Sequence, residues 1–478
     1  MSFKTRASSI WSSVKRAWVN TFKFIGRGIK LSFSLTLVYV LVVPVIQPAL
    51  AMAWAHLPAT IIAAAALVLV YLALRRKRYL LSALTLIAGL STSAALVYLY
   101  HSGWFIENEM ASALNPRTLT ELPDTINNRL LGRATALQYA GNANHDNRLR
   151  AGSPHLTASP TGDKVSWQVP LHYTVWYGAA LGSTGGLITI DAGQTSQKVD
   201  SIDHSFFPFG DESWLTEAAF RLLHPLSRPG NVVYWRQDNG QWCILISYLS
   251  YKPTLGGGMI PYLAGVMQVN SSGTIAHHSV DEAARLFPGV PLYPAPLARQ
   301  YAEAYADYKL GVTNYLVTQK DLLRISEDPK LSDDDTAFNR LPYYQVFQGL
   351  GLELVVPLEP NGKADNTALK EILFFDGSTG QAHSYQVSNN PPVVGPKQAL
   401  RNVVNADSQS DWGQFLPIES KLVVQGSKRY WLYTVVNRTT FAHVMLVLVD
   451  GFTLEAHKFS STDELHDFIS RQGPNSNR

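Results

Sequence analysis

The run LPATIIAAAALVLVYLAL (57–74) is followed, after Arg75-Arg76-Lys77-Arg78, by YLLSALTLIAGLSTSAALVYLY (79–100). Its reading decides how the rest of the chain is understood. A third apolar run, LSFSLTLVYVLVVPVIQPALAMA (31–53), precedes it, and no Asp, Glu, Lys or Arg interrupts any of the three. An apolar helix needs ~20 residues to cross the ~30 Å hydrocarbon layer. In lipid the backbone must satisfy its own polar groups, so a spanning segment is a helix. The sequence therefore predicts a three-helix transmembrane anchor over 31–101, with Pro44 and Pro48 kinking the first helix. Ala49-Leu50-Ala51 offers the alternative of a cleaved signal peptide for that first run. Ala63 to Ala66 are small enough to let neighbouring helices approach closely.

The flanking charges set an orientation. Lys4, Arg6, Lys15, Arg16, Lys23, Arg27 and Lys30 precede the first run without an acidic residue, and Arg75 to Arg78 separate the second from the third. Short basic flanks stay in the cytoplasm. The expectation is a multi-pass protein of the cell membrane, N-terminus cytoplasmic and C-terminal domain extracytoplasmic, with the lipid bilayer as a partner. Ile10, Trp11, Val14, Trp18, Phe22, Ile25 and Ile29 recur at helical spacing among these charges. Residues 1–30 thus read as a cytoplasmic amphipathic basic segment on the membrane surface, or as a partner-docking helix.

The chain has 478 residues, 40 basic and 36 acidic, and a net charge of +4. The first 101 residues hold 11 of the basic residues and none of the acidic ones, which leaves the remainder net acidic at −7. That remainder has no field to steer nucleic acid, so no nucleic-acid partner is expected. One cysteine, Cys243, excludes an intramolecular disulfide and suits a bacterial-type envelope. Within Gln241-Trp242-Cys243-Ile244-Leu245 it reads as a small buried hydrophobe, with nothing nearby to activate it as a nucleophile. Asn270-Ser271-Ser272 and Asn437-Arg438-Thr439 match the glycosylation triplet and carry no weight in the reading.

Beyond Tyr100 the composition turns polar. Residues 102–160 read as a connecting segment, with a helical piece near Asn127 to Tyr139 and a loop at Asn142 to Asn147. Strands follow at Val165 to Tyr177, Gly186 to Ile190, Asn231 to Arg236 and Trp242 to Tyr251. Helices are predicted at Glu212 to Leu223 and, opened by proline, at Pro296 to Leu310. Anchors then recur in the same order. Val169-Pro170-Leu171 returns as Val356-Pro357-Leu358, and Ile190-Asp191 as Phe375-Asp376. The helix near Trp214 returns near Lys397, and the hairpin at Val266 to His278 as Leu446 to His457. The expected class is α+β: the membrane anchor followed by a duplicated antiparallel-sheet-plus-helix ectodomain, with repeats at 161–295 and 341–478 and a helical linker at 296–340.

Phe374-Phe375-Asp376-Gly377-Ser378-Thr379-Gly380-Gln381, a strand, an aspartate turn and Thr-Gly before a second strand, resembles the PepSY domain signature. Val449-Asp450-Gly451-Phe452-Thr453-Leu454-Glu455 resembles it more loosely, and the first repeat carries Ser196 where the family has glycine. The resemblance implies small α+β modules on the envelope side that bind or restrain partner proteins. It brings no catalytic residues.

No motif assigns a catalytic, cofactor or metal site. Gly182-Ser183-Thr184-Gly185-Gly186 departs from a nucleophile elbow, and no phosphate loop occurs. His277 and His278 sit side by side on a strand and point to opposite faces, which does not suit one metal. Asp333-Asp334-Asp335 lacks the spaced ligands of a calcium loop. Glu359 and Asp376 are one of many possible carboxylate pairs. The sequence-based reading is a non-enzymatic binding or assembly protein with a protein partner and no cofactor. An accessory subunit of an envelope transport or secretion complex, and an envelope enzyme with a site between the repeats, are the alternatives.

Overall fold

The computed structural model describes residues 57–471, apart from 102–103, 128, 175–181, 197, 205–208, 238–239, 254–258, 328–339, 363–367 and 389. The first apolar run, the basic segment before it, and Asp333 to Asp335 lie outside the described residues.

Helices α1 (Leu57–Arg75) and α2 (Tyr79–His101) form a hairpin. α1 ends in a left-handed cap. The Lys77 N–H bonds Leu74 O at 2.9 Å and the Arg78 N–H bonds Ala73 O at 2.9 Å, with Lys77 at φ 55°. That is the Schellman pattern that satisfies the last carbonyls of a helix. The transmembrane expectation is corrected here: among the described residues no helix is long and apolar enough to cross a membrane. α1 has 19 residues, the last of them Arg75, so 18 uncharged residues stand against the ~20 of a span. In α2 the series is further broken by Ser82, Thr85, Ser91, Thr92 and Ser93. The transmembrane anchor, the multi-pass topology and the membrane localisation built on these runs are withdrawn.

A short helix α3 (Trp104–Leu114) and strands β1 (Arg117–Leu119) and β2 (Thr125–Asn127) come next, followed by α4 (Arg133–Ala143). A first antiparallel sheet uses β3 (Leu149–Ala151), β4 (His155–Ala158), β5 (Val165–Tyr173), β6 (Thr184–Asp191) and β7 (Val199–Asp203). Then come α5 (Trp214–Leu223) and a four-stranded meander, β8 (Arg228–Arg236), β9 (Trp242–Pro253), β10 (Met259–Asn270) and β11 (Ile275–His278), closed by α6 (Val280–Leu286). Helix α7 (Ala295–Tyr308) and β12 (Leu323–Ile325) lead into the second half. That half has β13 (Tyr343–Phe347), β14 (Gly351–Pro360), β15 (Glu371–Asp376) and β16 (Ala382–Gln386), then α8 (Pro396–Ala406). The meander β17 (Phe415–Gln425), β18 (Lys428–Asn437), β19 (His443–Asp450) and β20 (Ala456–Phe459) follows, and α9 (Thr462–Arg471) ends it. The order sheet, helix, four-strand meander, helix thus occurs twice. Val169-Pro170-Leu171 lies on β5 and Val356-Pro357-Leu358 on β14; Asp191 ends β6 and Asp376 ends β15.

Residues 102–160 do more than connect. β1 pairs in parallel with β16 and β2 pairs with β13, so both join the sheet of the second half. The core centres on β14, whose sequence is an almost unbroken apolar run because both of its faces are covered. Leu354, Val356 and Leu358 pack on Leu297, Ala298 and Tyr301 of α7. Val355 and Phe374 turn the other way, onto Trp431 and Tyr433 of β18 and Ala399 and Val403 of α8. This alternation follows from the two-residue period of a strand. α3 ties the hairpin to this body by burying Met110 in the α7 cluster, with Ile106 and Leu114 beside it.

Candidate functional site

The hairpin is built inside out. Ala59, Ala66 and Ala73, seven residues apart, are the buried positions of α1 at 3%, 6% and 7% exposure. A heptad keeps one stripe of a helix turned to its neighbour. Across from that stripe stand small residues of α2. A Cβ added to Gly89 would come within 2.1 Å of the Ala66 Cβ, and Ser93 Oγ donates to Ala59 O at 3.1 Å. The large apolar side chains face away from the seam, from Leu72 at 46% exposure to Leu80 at 76%. Ile61, Leu67, Tyr71, Leu84 and Ile87 lie on the same uncovered surface.

A second candidate lies in the first half, where β4, β5, β6, β8 and the turn before α5 converge on Asp211. Tyr234 Oη donates to Asp211 Oδ1 at 2.8 Å and lies 3.0 Å from Thr184 Oγ1. His155 Nε2 is 3.4 Å from Asp211 Oδ2. His172 Nε2 is 3.3 Å from Asp211 Oδ1 and 3.7 Å from Glu212 Oε1, yet neither of its ring nitrogens finds a well-formed hydrogen bond. Arg150 pairs with Glu212 on the outside. Glycine makes room for this crowding: a Cβ at Gly152 would meet His172 Nε2 at 2.3 Å, and one at Gly210 would meet Thr184 Oγ1 at 2.3 Å.

Burial pushes the His172 pKa down more strongly than Asp211 and Glu212 push it up, so the ring is neutral at pH 7. Burial raises the Asp211 pKa, but His155, His172 and Tyr234 together outweigh it and hold the carboxyl below its usual range. Burial, then Asp211, push the Tyr234 phenol well above its ordinary value, which keeps it a donor. The cluster keeps one carboxylate charged and hydrogen-bonded between two sheets. Among the described residues no group of three or more His, Cys, Asp or Glu is arranged to hold a metal ion.

The residues weighed from sequence fall elsewhere. Cys243 is fully buried, and burial pushes its thiol up to about 11. His277 Nδ1 lies 3.2 Å from His224 Nε2, whereas His278 Nε2 meets Gln268 Oε1 at 2.9 Å. Their neighbours are different, as expected of adjacent strand residues. Glu359 and Asp376 do not meet. Asp376 is registered against Glu353, and Glu359 lies at the other end of β14 against Arg324. Glu353 is buried, and that burial, then Asp376, push its carboxyl well above the usual range.

The Asp376 turn is structural. Asp376 Oδ1 accepts from the Ser378 and Thr379 amides at 3.0 and 2.6 Å. Gly380 takes φ 76°, and a Cβ there would meet the Tyr293 ring at 2.1 Å. The glycine thus serves both the turn and the close approach of the aromatic ring. Sequence reading missed the Asp211 cluster, because its members are spread over five separate elements. Nothing in their spacing along the sequence links them.

No protein-family model matches the chain, and no curated protein matches it. Among solved structures, a chain described as a glycoside hydrolase covers 70% of this chain and 78% of its own length, at 9% identity and a TM-score of 0.20. A likeness of that size carries no argument about fold or activity.

Proposed function

We propose that the protein works by contact, its helical hairpin docking on apolar helices of a partner protein while the two sheet-and-helix halves are held out for recognition. The uncovered outer surface of the hairpin carries this reading. Contiguous apolar surface beyond a few hundred Å² marks an interaction site on a folded protein. The seam takes Ala59, Ala66 and Ala73 and leaves the large leucine, isoleucine and tyrosine side chains for a second surface. An apolar helix is the matching chemistry, because the outer faces of Ala59 to Leu74 and Tyr79 to Ala95 offer no charge.

The PepSY-like turn at Asp376 to Gln381 supports the recognition half of the proposal. The resemblance implies partner binding. The test compares the native complex size of the 52.8 kDa chain with that of a Leu80→Glu/Ile87→Glu variant. The expected result is a discrete heterologous complex that the variant loses while its sheets stay folded. A complex of unchanged size in the variant would overturn the proposal.

A further inference from the structure

A cleft of about 270 Å³ lies between α7 and β12, with Lys397 of α8 in its lining. Arg299, Glu303 and Asp307 follow one another at four-residue steps, so α7 shows them on one face. Arg299 is held by its neighbours: Nη1 reaches Glu327 Oε2 at 2.8 Å and Leu341 O at 3.0 Å, and Nε lies in ion-pair range of Glu303 Oε1 at 2.7 Å. Arg299 thus serves both Glu303 and Glu327, and one negative charge is left over among the three.

Three charged groups in the cleft are not engaged in that way. Arg324 is oriented from behind. Its Nε bonds Glu359 Oε1 at 2.8 Å, and Glu359 Oε2 takes Ser326 Oγ at 2.9 Å. Its Nη2 is left buried with no hydrogen-bond partner. A buried donor without an acceptor is costly, and a ligand acceptor would remove that cost. Lys397 and Asp307 make no ion pair or hydrogen bond among the described residues. Burial, then Glu303, push the Asp307 carboxyl above its usual range, as expected of a carboxylate lacking a counter-cation. Leu323, Ile325 and Ala306 supply an apolar wall.

We propose that this cleft binds a small zwitterion of the α-amino-acid class, with its carboxylate on Arg324 and Lys397, its ammonium on Asp307 and a short side chain against Leu323 and Ile325. An unsatisfied guanidinium nitrogen on Arg324, the Lys397 ammonium and the Asp307 carboxylate match neither a simple anion nor a simple cation. The volume lies below the range usual for drug-sized ligands, which favours a small molecule.

The test is calorimetric titration of the full chain with alanine, alanine methyl ester and N-acetylalanine. Alanine should bind. The ester, which lacks the carboxylate, and the acetyl derivative, which lacks the ammonium, should each bind at least about tenfold more weakly, as expected for loss of one charge-assisted contact. Asp307→Asn should weaken alanine to a similar degree at unchanged thermal stability, and Arg324→Gln should do so with a lowered stability, because Glu359 loses its partner. Absence of heat with alanine would overturn the proposal. So would equal binding of N-acetylalanine, which makes the cleft an anion site, or of the ester, which makes it a cation site. Should Arg324→Gln fail to fold, the blocked ligands on the native chain decide the matter.

Discussion

Ala66 and Gly89 touch across the hairpin so closely that any side chain at Gly89 would collide with the alanine methyl, the added Cβ falling 2.1 Å from it. The seam admits no bulk there. Gly89→Val should therefore pry the two helices apart, at a cost of about 1–3 kcal/mol for overpacking. Hydrogen exchange of the α1 and α2 amides should speed up by roughly one to two orders of magnitude, with the sheets unaffected. Unchanged protection in the helices would contradict a close-packed seam at Ala66 and Gly89.

Arg129 and Glu419 form a buried ion pair, 2.8 Å apart with both side chains 4% exposed. The guanidinium also lies over Trp167 at 5.3 Å and Tyr343 at 5.9 Å. Without Arg129, Glu419 keeps only Lys421 Nζ at 3.5 Å, and breaking a buried pair costs roughly 3–5 kcal/mol. Arg129→Ala should lower the unfolding free energy by that order in denaturant titration. Arg129→Lys should recover little, because an ammonium cannot replace a planar, stacked fork.

Lys421, beside this pair, gives a pH signature. It is fully buried, donates to Arg129 O at 2.7 Å and to Thr434 Oγ1 at 3.1 Å, and burial pushes its pKa down to about 7. The unfolded chain holds that proton up to the ordinary lysine value, near 10.4. Between these values the unfolded state binds more protons, so stability rises with pH. Melting temperature should climb from pH 7 to about 9.5, and Lys421→Met should flatten the climb. An equal slope in the variant would assign it to another group.

Asp211 should show the acid-side counterpart. Its carboxyl is held below the usual range in the fold. The stabilisation is therefore complete above the unfolded value near 4 and is lost as the pH falls through the folded one. Asp211→Asn should cost about 1.5–3 kcal/mol at pH 7, the range for hydrogen bonds to a charged group. Its difference from the native chain should shrink below pH 4. A difference that stays constant across that range would show that the carboxylate charge contributes nothing.

Local chemistry accounts for what could be read from sequence. The turns at Asp191, Asp376 and Asp450 are legible because each aspartate bonds amides two or three residues on. The helix at Pro296 and the hairpin before His278 follow from proline placement and Gly273. The pairing of β1 with β16 is not legible, since three residues near Arg117 carry no sign of partners near His383. Glu419 and Lys421 look like solvent-exposed alternation within Ile418-Glu419-Ser420-Lys421. A bulge and the positive φ of Glu419, 55°, turn both inward instead. The apolar runs at 57–74 and 79–100 are helical, but composition could not show that Ala59, Ala66 and Ala73 would fill the seam and large leucines stay outside. The spanning anchor inferred from them finds no helix of sufficient length and apolarity among the described residues.

Photo-crosslinking along the hairpin tests the contact reading most directly. A photoreactive residue is placed in turn at Leu72, Leu80 and Ile87 on the outer surface, and at Ala66 and Ser82 on the seam. The expected pattern is one protein partner captured from all three outer positions, absent from both seam positions and lost when Leu84→Glu is added. Adducts with lipid alone, capture that ignores which side of the hairpin carries the probe, or no adduct from any outer position would contradict it.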